Sequence, residues 1–320
     1  MFAATTDTQS EGVVITDDNL NPILQIITWL LLALTSLMMC FRTVTRCFLR
    51  KHDLLAGWDD NLLLLSYIVG VGEMVIWILP HSTIFGRTIG HISQDEMVSG
   101  LKAMYASDIL FLLSLGFAKL SVCACYVSLI PANDMFHRRW SLAMASVVTL
   151  WTIAFSFAAA FRCGIRPWWN HTHDDSITCL DQSAFLQGVS ITNILTDAGL
   201  VAIPISLFAP LKLPLRTRLT SVLIFSARAL IIIPCAFQLA YMPNLANMDA
   251  TETDWTLQGF PYFVTTQVVE FAGISAACII YLSPFLQSLG SGAMKAESLP
   301  SFTPKQKQST QHLVSSDSSR

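Results

Sequence analysis

Residues 101–129 read LKAMYASDILFLLSLGFAKLSVCACYVSL. The stretch is long enough to cross a bilayer as a helix, which takes about 20 mostly apolar residues. It also contains Asp108 and Lys119, two charges that lipid excludes. At ~100° per residue these side chains return to nearly the same helix face, about 16 Å apart along the axis, which is too far for a direct pair. A helix with one polar stripe and apolar flanks is typical of the interior of a membrane helix bundle.

The composition of the whole chain fits that interpretation. Of its 320 residues, 53% are hydrophobic and only 13% are charged, whereas about a quarter of the residues in a soluble domain are charged. The apolar residues fall into seven blocks, each long enough to span a bilayer: roughly 23–43, 61–80, 103–130, 141–162, 184–209, 219–242 and 261–286. We therefore predict an all-α membrane protein with a seven-helix transmembrane domain over residues 22–287.

The distribution of Lys and Arg predicts the orientation of the helices. Residues 1–21 contain no Lys or Arg and form a short acidic tail, whereas basic residues gather in alternate loops: Arg42, Arg46, Arg50, Lys51, Arg138, Arg139, Lys212, Arg216 and Arg218. Because basic loops stay in the cytosol, we expect the N-terminus outside and the C-terminus inside. Residues 288–320, rich in Ser, Gln, Lys and Thr, are expected to be a disordered cytosolic tail. Whether the membrane is the plasma membrane or an endomembrane stays open.

The loop between the fourth and fifth spans is predicted to lie outside the cell. It carries Asn170 in an Asn-His-Thr glycosylation site. Cys163 and Cys179 flank it, and of the eight cysteines only these two are predicted on the oxidising side. A disulfide between them is the natural pairing.

One group of intramembrane charges is expected to be structural. Lys119 and Arg228 are the bases within the spans, and Asp197 is the nearest acid by depth. An isolated charge at the bilayer centre costs about 2.5–3.5 kcal/mol, so these three should pair. Asn193 lies four residues before Asp197, on the same helix face. We interpret these four residues as a charge lock that closes the bundle.

The remaining intramembrane acids, Glu73, Asp108 and Glu270, exceed the available bases. Counting along the helices places all three in the outer half of the membrane. Such a surplus requires a protonated carboxyl, a hydrated pocket or a bound cation, or else the acids serve as interhelical hydrogen-bond partners. We take these three as the candidate ligand-binding residues, and as the catalytic candidates if the protein is an enzyme.

Several seven-helix chemistries are disfavoured. Residues 260–286 contain no lysine, so a retinal Schiff base of the usual kind is not expected, and no other cofactor is indicated. The third span ends in Ser128-Leu129-Ile130-Pro131, without the acidic-Arg-aromatic triplet of animal receptors, so G-protein coupling is unsupported. No metal site is expected, because no His lies within a span except near its ends. The basic residues form short groups beside the membrane rather than one stripe, which excludes nucleic acid as a partner.

Taken in order, the polar residues resemble the fungal rhodopsin-like integral membrane protein family over about residues 20–290. The family includes Pth-type receptor-like proteins and proteins of secondary-metabolite clusters such as the satratoxin cluster. The similar features are Trp58-Asp59-Asp60, Lys119-Leu120-Ser121 with Tyr126, Cys163, Pro167-Trp168, Cys179, Asn193, Asp197, Pro204, Arg228, Glu270 and Ser283-Pro284. The first outer loop departs from the family's Gly-x-Gly-x-His pattern, because Gly86, Gly90 and His91 have a different spacing.

The resemblance implies a fungal membrane protein that is accessory to the biosynthesis of a lipophilic natural product. Two functions remain open. A receptor-like protein would bind a small lipophilic molecule beside the outer carboxyls, and a membrane-embedded enzyme would use them for acid–base cyclisation, isomerisation or hydrolysis of a lipophilic intermediate. Transport is disfavoured, because the sequence has no internal repeat.

Overall fold

The computed structural model of the chain describes residues 15–49, 57–130, 133–164, 180–208, 227–242 and 254–290. These residues are almost entirely helical. We label the main helices α1 (Asn21–Leu49), α2 (Trp58–Ile78), α3 (Gln94–Leu129), α4 (Met135–Ala160), α5 (Gln182–Phe208), α6 (Ile232–Tyr241) and α7 (Phe260–Gly290). The chain divides into two compact units, Met1–Ser283 and Pro284–Arg320, and the helix bundle belongs to the first.

Six of these helices, α1 to α5 and α7, are long and apolar enough to cross a membrane. The prediction of a multi-pass helical membrane protein is therefore confirmed. The sixth predicted span is described only in its second part, a 3₁₀ turn over Ala227–Ile231 followed by α6, because residues 209–226 lie outside the described residues. The two predicted terminal tails also lie mostly outside them.

The interior of the bundle is formed mainly by α3 and α7. In the apolar 18-residue stretch of each of these two helices, 67% is buried, compared with 28% in α1 and 22% in α4. Helices α1 and α4 instead expose large apolar side chains, such as Leu37 and Leu150, where lipid would cover them. The polar stripe predicted from residues 101–129 thus faces other helices rather than lipid.

Helix α3 begins earlier than the apolar pattern predicts. That pattern assigns residues 94–100 to the preceding loop, but the helix starts at Gln94. The Ser93 hydroxyl accepts a hydrogen bond from the Glu96 backbone N–H, and the Glu96 carboxylate accepts one from the Ser93 N–H. This capping box satisfies two N–H groups that would otherwise lack partners, so a helix can start in polar sequence.

One end of the bundle is closed by contacts among residues 19–21, 82–89 and 254–256, and we call it the Gly86 end. The Leu20 N–H donates to the Gly86 carbonyl (2.7 Å), and the Gly86 N–H donates to the Thr256 carbonyl (2.9 Å). The Asn21 side chain donates to the Phe85 carbonyl (2.9 Å). Gly86 has a φ of +88°, a conformation that side chains disfavour. The chain therefore makes a tight turn at this glycine.

Candidate functional site

The best candidate site is a pair of carboxyl groups contributed by Glu73 of α2 and Glu270 of α7. Both side chains are completely buried. The two carboxyls lie within hydrogen-bonding reach of one another. A hydrogen bond between two carboxyl groups needs a proton on one of them, because a carboxylate can only accept. The geometry therefore describes a buried acid–carboxylate pair.

Three donors hold one oxygen of Glu73. Its Oε1 accepts hydrogen bonds from Trp77 Nε1 (2.6 Å), Ser107 Oγ (2.8 Å) and Gln267 Nε2 (2.9 Å). These donors come from α2, α3 and α7, so the carboxyl connects three helices. Among the described residues, no N–H or hydroxyl group donates a hydrogen bond to Glu73 Oε2. That oxygen is therefore available for a hydrogen bond with the Glu270 carboxyl.

Glu270 has fewer polar neighbours. Apart from the Glu73 carboxyl and the nearby Ser114 hydroxyl, no polar group of the described chain is set against its oxygens. Its space depends on Gly70 of α2, where an added Cβ would lie 2.8 Å from Glu270 Oε1 and 2.8 Å from Ile274 Cδ1. A glycine at position 70 thus lets the Glu270 carboxyl approach α2.

Aromatic side chains separate this pair from the Gly86 end. The Trp77 ring packs 5.0 Å from Phe85 and 5.3 Å from Phe263, measured between ring centroids, and Phe85 lies 4.8 Å from Phe263. All three rings are buried. Apolar rings therefore shield the carboxyl pair on this side, and electrostatic interactions are stronger in such a buried site than in water.

Asp108, the third of the predicted ligand-binding carboxyls, is paired with a base. Its Oδ2 accepts a hydrogen bond from the Arg162 guanidinium at 2.8 Å. The Arg162 side chain also binds Gln182 Oε1 and lies over the Phe185 ring. Counting only Lys119 and Arg228 as bases within the spans left out Arg162, at the end of the fourth apolar block, whose buried guanidinium neutralises Asp108.

The structure brings together the charged residues of the predicted lock. Arg228 Nε donates to Asp197 Oδ1 (2.7 Å), and Lys119 Nζ lies 3.4 Å from Asp197 Oδ2. Lys119 Nζ also donates to the Asn193 carbonyl (3.0 Å) and to Thr196 Oγ1 (2.5 Å). Asn193 contributes through its backbone, because its side chain donates instead to Cys235 Sγ (3.2 Å). We call Lys119, Asp197 and Arg228 the basic centre.

The predicted external loop can be placed only at its edge. Cys163 is a disulfide-bonded cysteine, but Cys179 and Asn170 lie outside the described residues, so the pairing and the glycosylation stay predictions. Just after this loop, Asp181 precedes α5. Hydrogen bonds from the Ser183 hydroxyl and from the backbone N–H groups of Ala184 and Ser183 lower the pKa of Asp181. In the part of the chain that the structure describes, no group of three or more His, Cys, Asp or Glu side chains could hold a metal ion.

Sequence reasoning missed several residues that build the carboxyl pair, namely Gly70, Trp77, Ser107 and Ser114. One signal was available: Ser107 and Ser114 are seven residues apart and so lie on one face of α3. Small polar residues on one face of a membrane helix indicate a helix contact that can accommodate a polar partner.

Comparisons with known proteins agree with this architecture. The sequence matches the family model for the fungal rhodopsin domain over residues 41–288. It is also 22% identical over 237 residues to the polyenoic acids biosynthesis gene cluster protein Ba17b of Metarhizium anisopliae. That alignment covers 69% of this chain and 63% of the relative, so the chain spans less than two-thirds of the relative's length.

Proposed function

The chain belongs to the fungal rhodopsin domain family, and from that premise we propose that it binds a small lipophilic molecule at the Glu73–Glu270 pair, as an accessory protein of a secondary-metabolite pathway. The main observation in support is that the two carboxyl groups are buried beside one another, within hydrogen-bonding reach. The cluster origin of the relative, as its name states it, supports the pathway assignment.

The proposed topology has seven spans, with the N-terminus outside and the C-terminus in the cytosol. It is supported by the basic residues of the alternate loops and by the apolar helix Arg228–Tyr241, which would form part of the sixth span. The topology would put Asn170 and a Cys163–Cys179 bridge outside the membrane on the non-cytosolic side. The Glu73–Glu270 pair would then lie in the outer half, below the Gly86 end.

Binding at the pair would exchange one hydrogen bond for another. A hydroxyl or amine on an apolar ligand could donate to Glu73 Oε2 in place of the hydrogen bond between the two carboxyls, while the proton of the pair stays on Glu270. We assign no cofactor, because residues 260–286 contain no lysine for a retinal Schiff base.

A membrane-embedded enzyme is the second candidate, and the unequal environments of the two acids favour it. Glu73 Oε1 has three donors, whereas Glu270 faces, among the residues that the structure describes, a carboxyl and the Ser114 hydroxyl. Hydrogen bonds favour the charged form of a carboxyl, so Glu73 would be the base and Glu270 the acid. Such a pair could protonate a lipophilic intermediate and accept a proton from it during isomerisation or cyclisation.

The metabolite profile of a deletion strain tests the proposal and separates the two candidates. An accumulated biosynthetic intermediate would favour the enzyme, and microsomes that contain only this chain should then convert that intermediate. Unchanged products with an altered response to the end product would favour the receptor-like protein. A strain with neither change would contradict a role in the pathway.

A further inference from the structure

The basic centre carries more positive than negative charge. Lys119 is an ammonium, because its Nζ meets three acceptors, Asp197 Oδ2, the Asn193 carbonyl and Thr196 Oγ1. The Trp151 ring, 5.1 Å from Nζ, adds a cation–π contact. With the Arg228 guanidinium and one carboxylate, Asp197, the centre has a net charge of +1. All three side chains are buried.

Arg228 also has donors left over. Its Nε is used by Asp197, but among the described residues no acceptor is set against Nη1 or Nη2. The side chain has no solvent exposure, so water in bulk does not satisfy these groups. Burying guanidinium N–H groups without acceptors costs free energy of folding. The number and direction of these donors define which acceptor group a ligand would need.

The Glu73–Glu270 pair does not supply the missing acceptor. Its carboxyls lie next to Ser114 of α3, and Ser114 precedes Lys119 by five residues, a rise of about 7.5 Å along a helix. In the described part of the chain, neither the oxygens of Glu270 nor Oε2 of Glu73 accept a hydrogen bond from Arg228.

We propose that the Nη1 and Nη2 groups of Arg228 bind the carboxylate of a lipophilic acid. One carboxylate would accept both N–H groups in the bidentate geometry that a guanidinium prefers. Its single negative charge would neutralise the +1 centre, whereas a phosphate dianion would leave an excess charge of opposite sign. The proposal deepens the proposed function, on which it rests, by naming the acid class of the ligand and a second contact for it.

The apolar part of such an acid has a place to lie. Leu230 and Ile233 follow Arg228 closely in the chain and are 64% and 55% exposed on the surface that lipid would cover. Arg228 itself lies on the opposite, buried side of this segment, so the carboxylate would enter beside the segment while the apolar chain stays in the bilayer.

The test uses the full-length chain in lipid nanodiscs, with cis-parinaric acid, a fluorescent polyene fatty acid, and its methyl ester as probes. Saturable fluorescence is measured above that of empty nanodiscs. We expect the acid to bind at least about tenfold more tightly than the ester, because the ionised acid is a charged acceptor for both N–H groups and the ester is not. Arg228→Gln should abolish this preference, and the same change at the exposed Arg139 should leave it intact.

The acid–ester comparison on the unmodified chain stands even if Arg228→Gln does not fold. Equal, saturable binding of acid and ester would overturn the carboxylate contact while leaving the binding of lipophilic molecules in place. Absence of saturable binding by both probes would also overturn the inference, and the deletion strain would then decide the proposed function separately. An unchanged acid preference in a folded Arg228→Gln protein would assign the contact to another residue.

Discussion

The carboxyl of Glu73 on α2 faces the carboxyl of Glu270 on α7 across a contact that Gly70 keeps open. Neither side chain has solvent exposure. Two adjacent carboxylates repel one another, and burial disfavours their charge further, so the contact is stable only with a shared proton. The pair is thus at once a link between two helices and a source of one exchangeable proton.

Replacing Glu270 by Gln should preserve the fold and remove the function. The amide introduced by Glu270→Gln can donate to Glu73 Oε2 without a shared proton, so we expect Tm in detergent to change by less than about 4 °C. The variant should fail to restore what the deletion strain has lost, either its metabolite profile or its response to the end product, because it carries no acidic proton. Full restoration by Glu270→Gln would show that the carboxyl pair is structural only.

Gly70→Ala should destabilise the protein. The new Cβ would meet Glu270 Oε1 and Ile274 Cδ1 at 2.8 Å, so either α7 shifts or the carboxyls separate. We expect a loss of about 1–3 kcal/mol in the free energy of unfolding, measured by denaturation in mixed micelles. Gly72→Ala is the matched control, because its Cβ would lie 3.7 Å from Leu110 Cδ1, an ordinary contact. Equal stability of the two variants would contradict the close approach at Gly70.

Arg162→Gln should be more harmful than the double variant Arg162→Gln with Asp108→Asn. The single change leaves Asp108 with its charge and without its ion-pair partner, at a cost of up to about 3–5 kcal/mol for a buried pair. The double change removes both charges together. A double-mutant cycle on Tm measures the coupling, and additive effects would mean that the 2.8 Å contact contributes little.

Asp197→Asn should greatly reduce the amount of folded protein in the membrane. It removes the one carboxylate that both Lys119 and Arg228 contact, and leaves two buried positive charges beside one another. Asn193→Ala serves as the comparison, because it removes only a weak hydrogen bond to Cys235 Sγ. Fluorescence-detected size-exclusion chromatography of tagged proteins measures the yield. Similar yields would contradict a structural role for the basic centre.

The proposed topology predicts that Asn170 is glycosylated when the chain is made in a fungal host. Treatment with an endoglycosidase should increase the gel mobility of the wild-type chain and leave that of Asn170→Gln unchanged. A Cys179→Ser variant should leave Cys163 free to react with a membrane-impermeant maleimide after mild denaturation. If the wild-type chain is not glycosylated and this loop is labelled from the cytosolic side, the orientation is the opposite of the one proposed.

The sequence by itself determined that this is a multi-pass helical membrane protein of its family, because apolar blocks of bilayer length leave the backbone no other way to satisfy its hydrogen bonds. Depth along the helices also predicted that Lys119, Asp197 and Arg228 would meet. Charge balance is local and strong within a membrane, so residues of opposite sign at one depth are forced together.

Only the tertiary structure decided how the remaining acids are partnered. Glu73, Asp108 and Glu270 are all flanked by apolar residues in the sequence. In the structure, Asp108 forms an ion pair with Arg162, whereas Glu270 approaches Glu73 across Gly70. These outcomes depend on how each helix is rotated about its axis and on which neighbour has a small side chain at the point of contact. Rotation and close approach arise from packing between distant segments, which hydropathy and depth along a single helix do not specify.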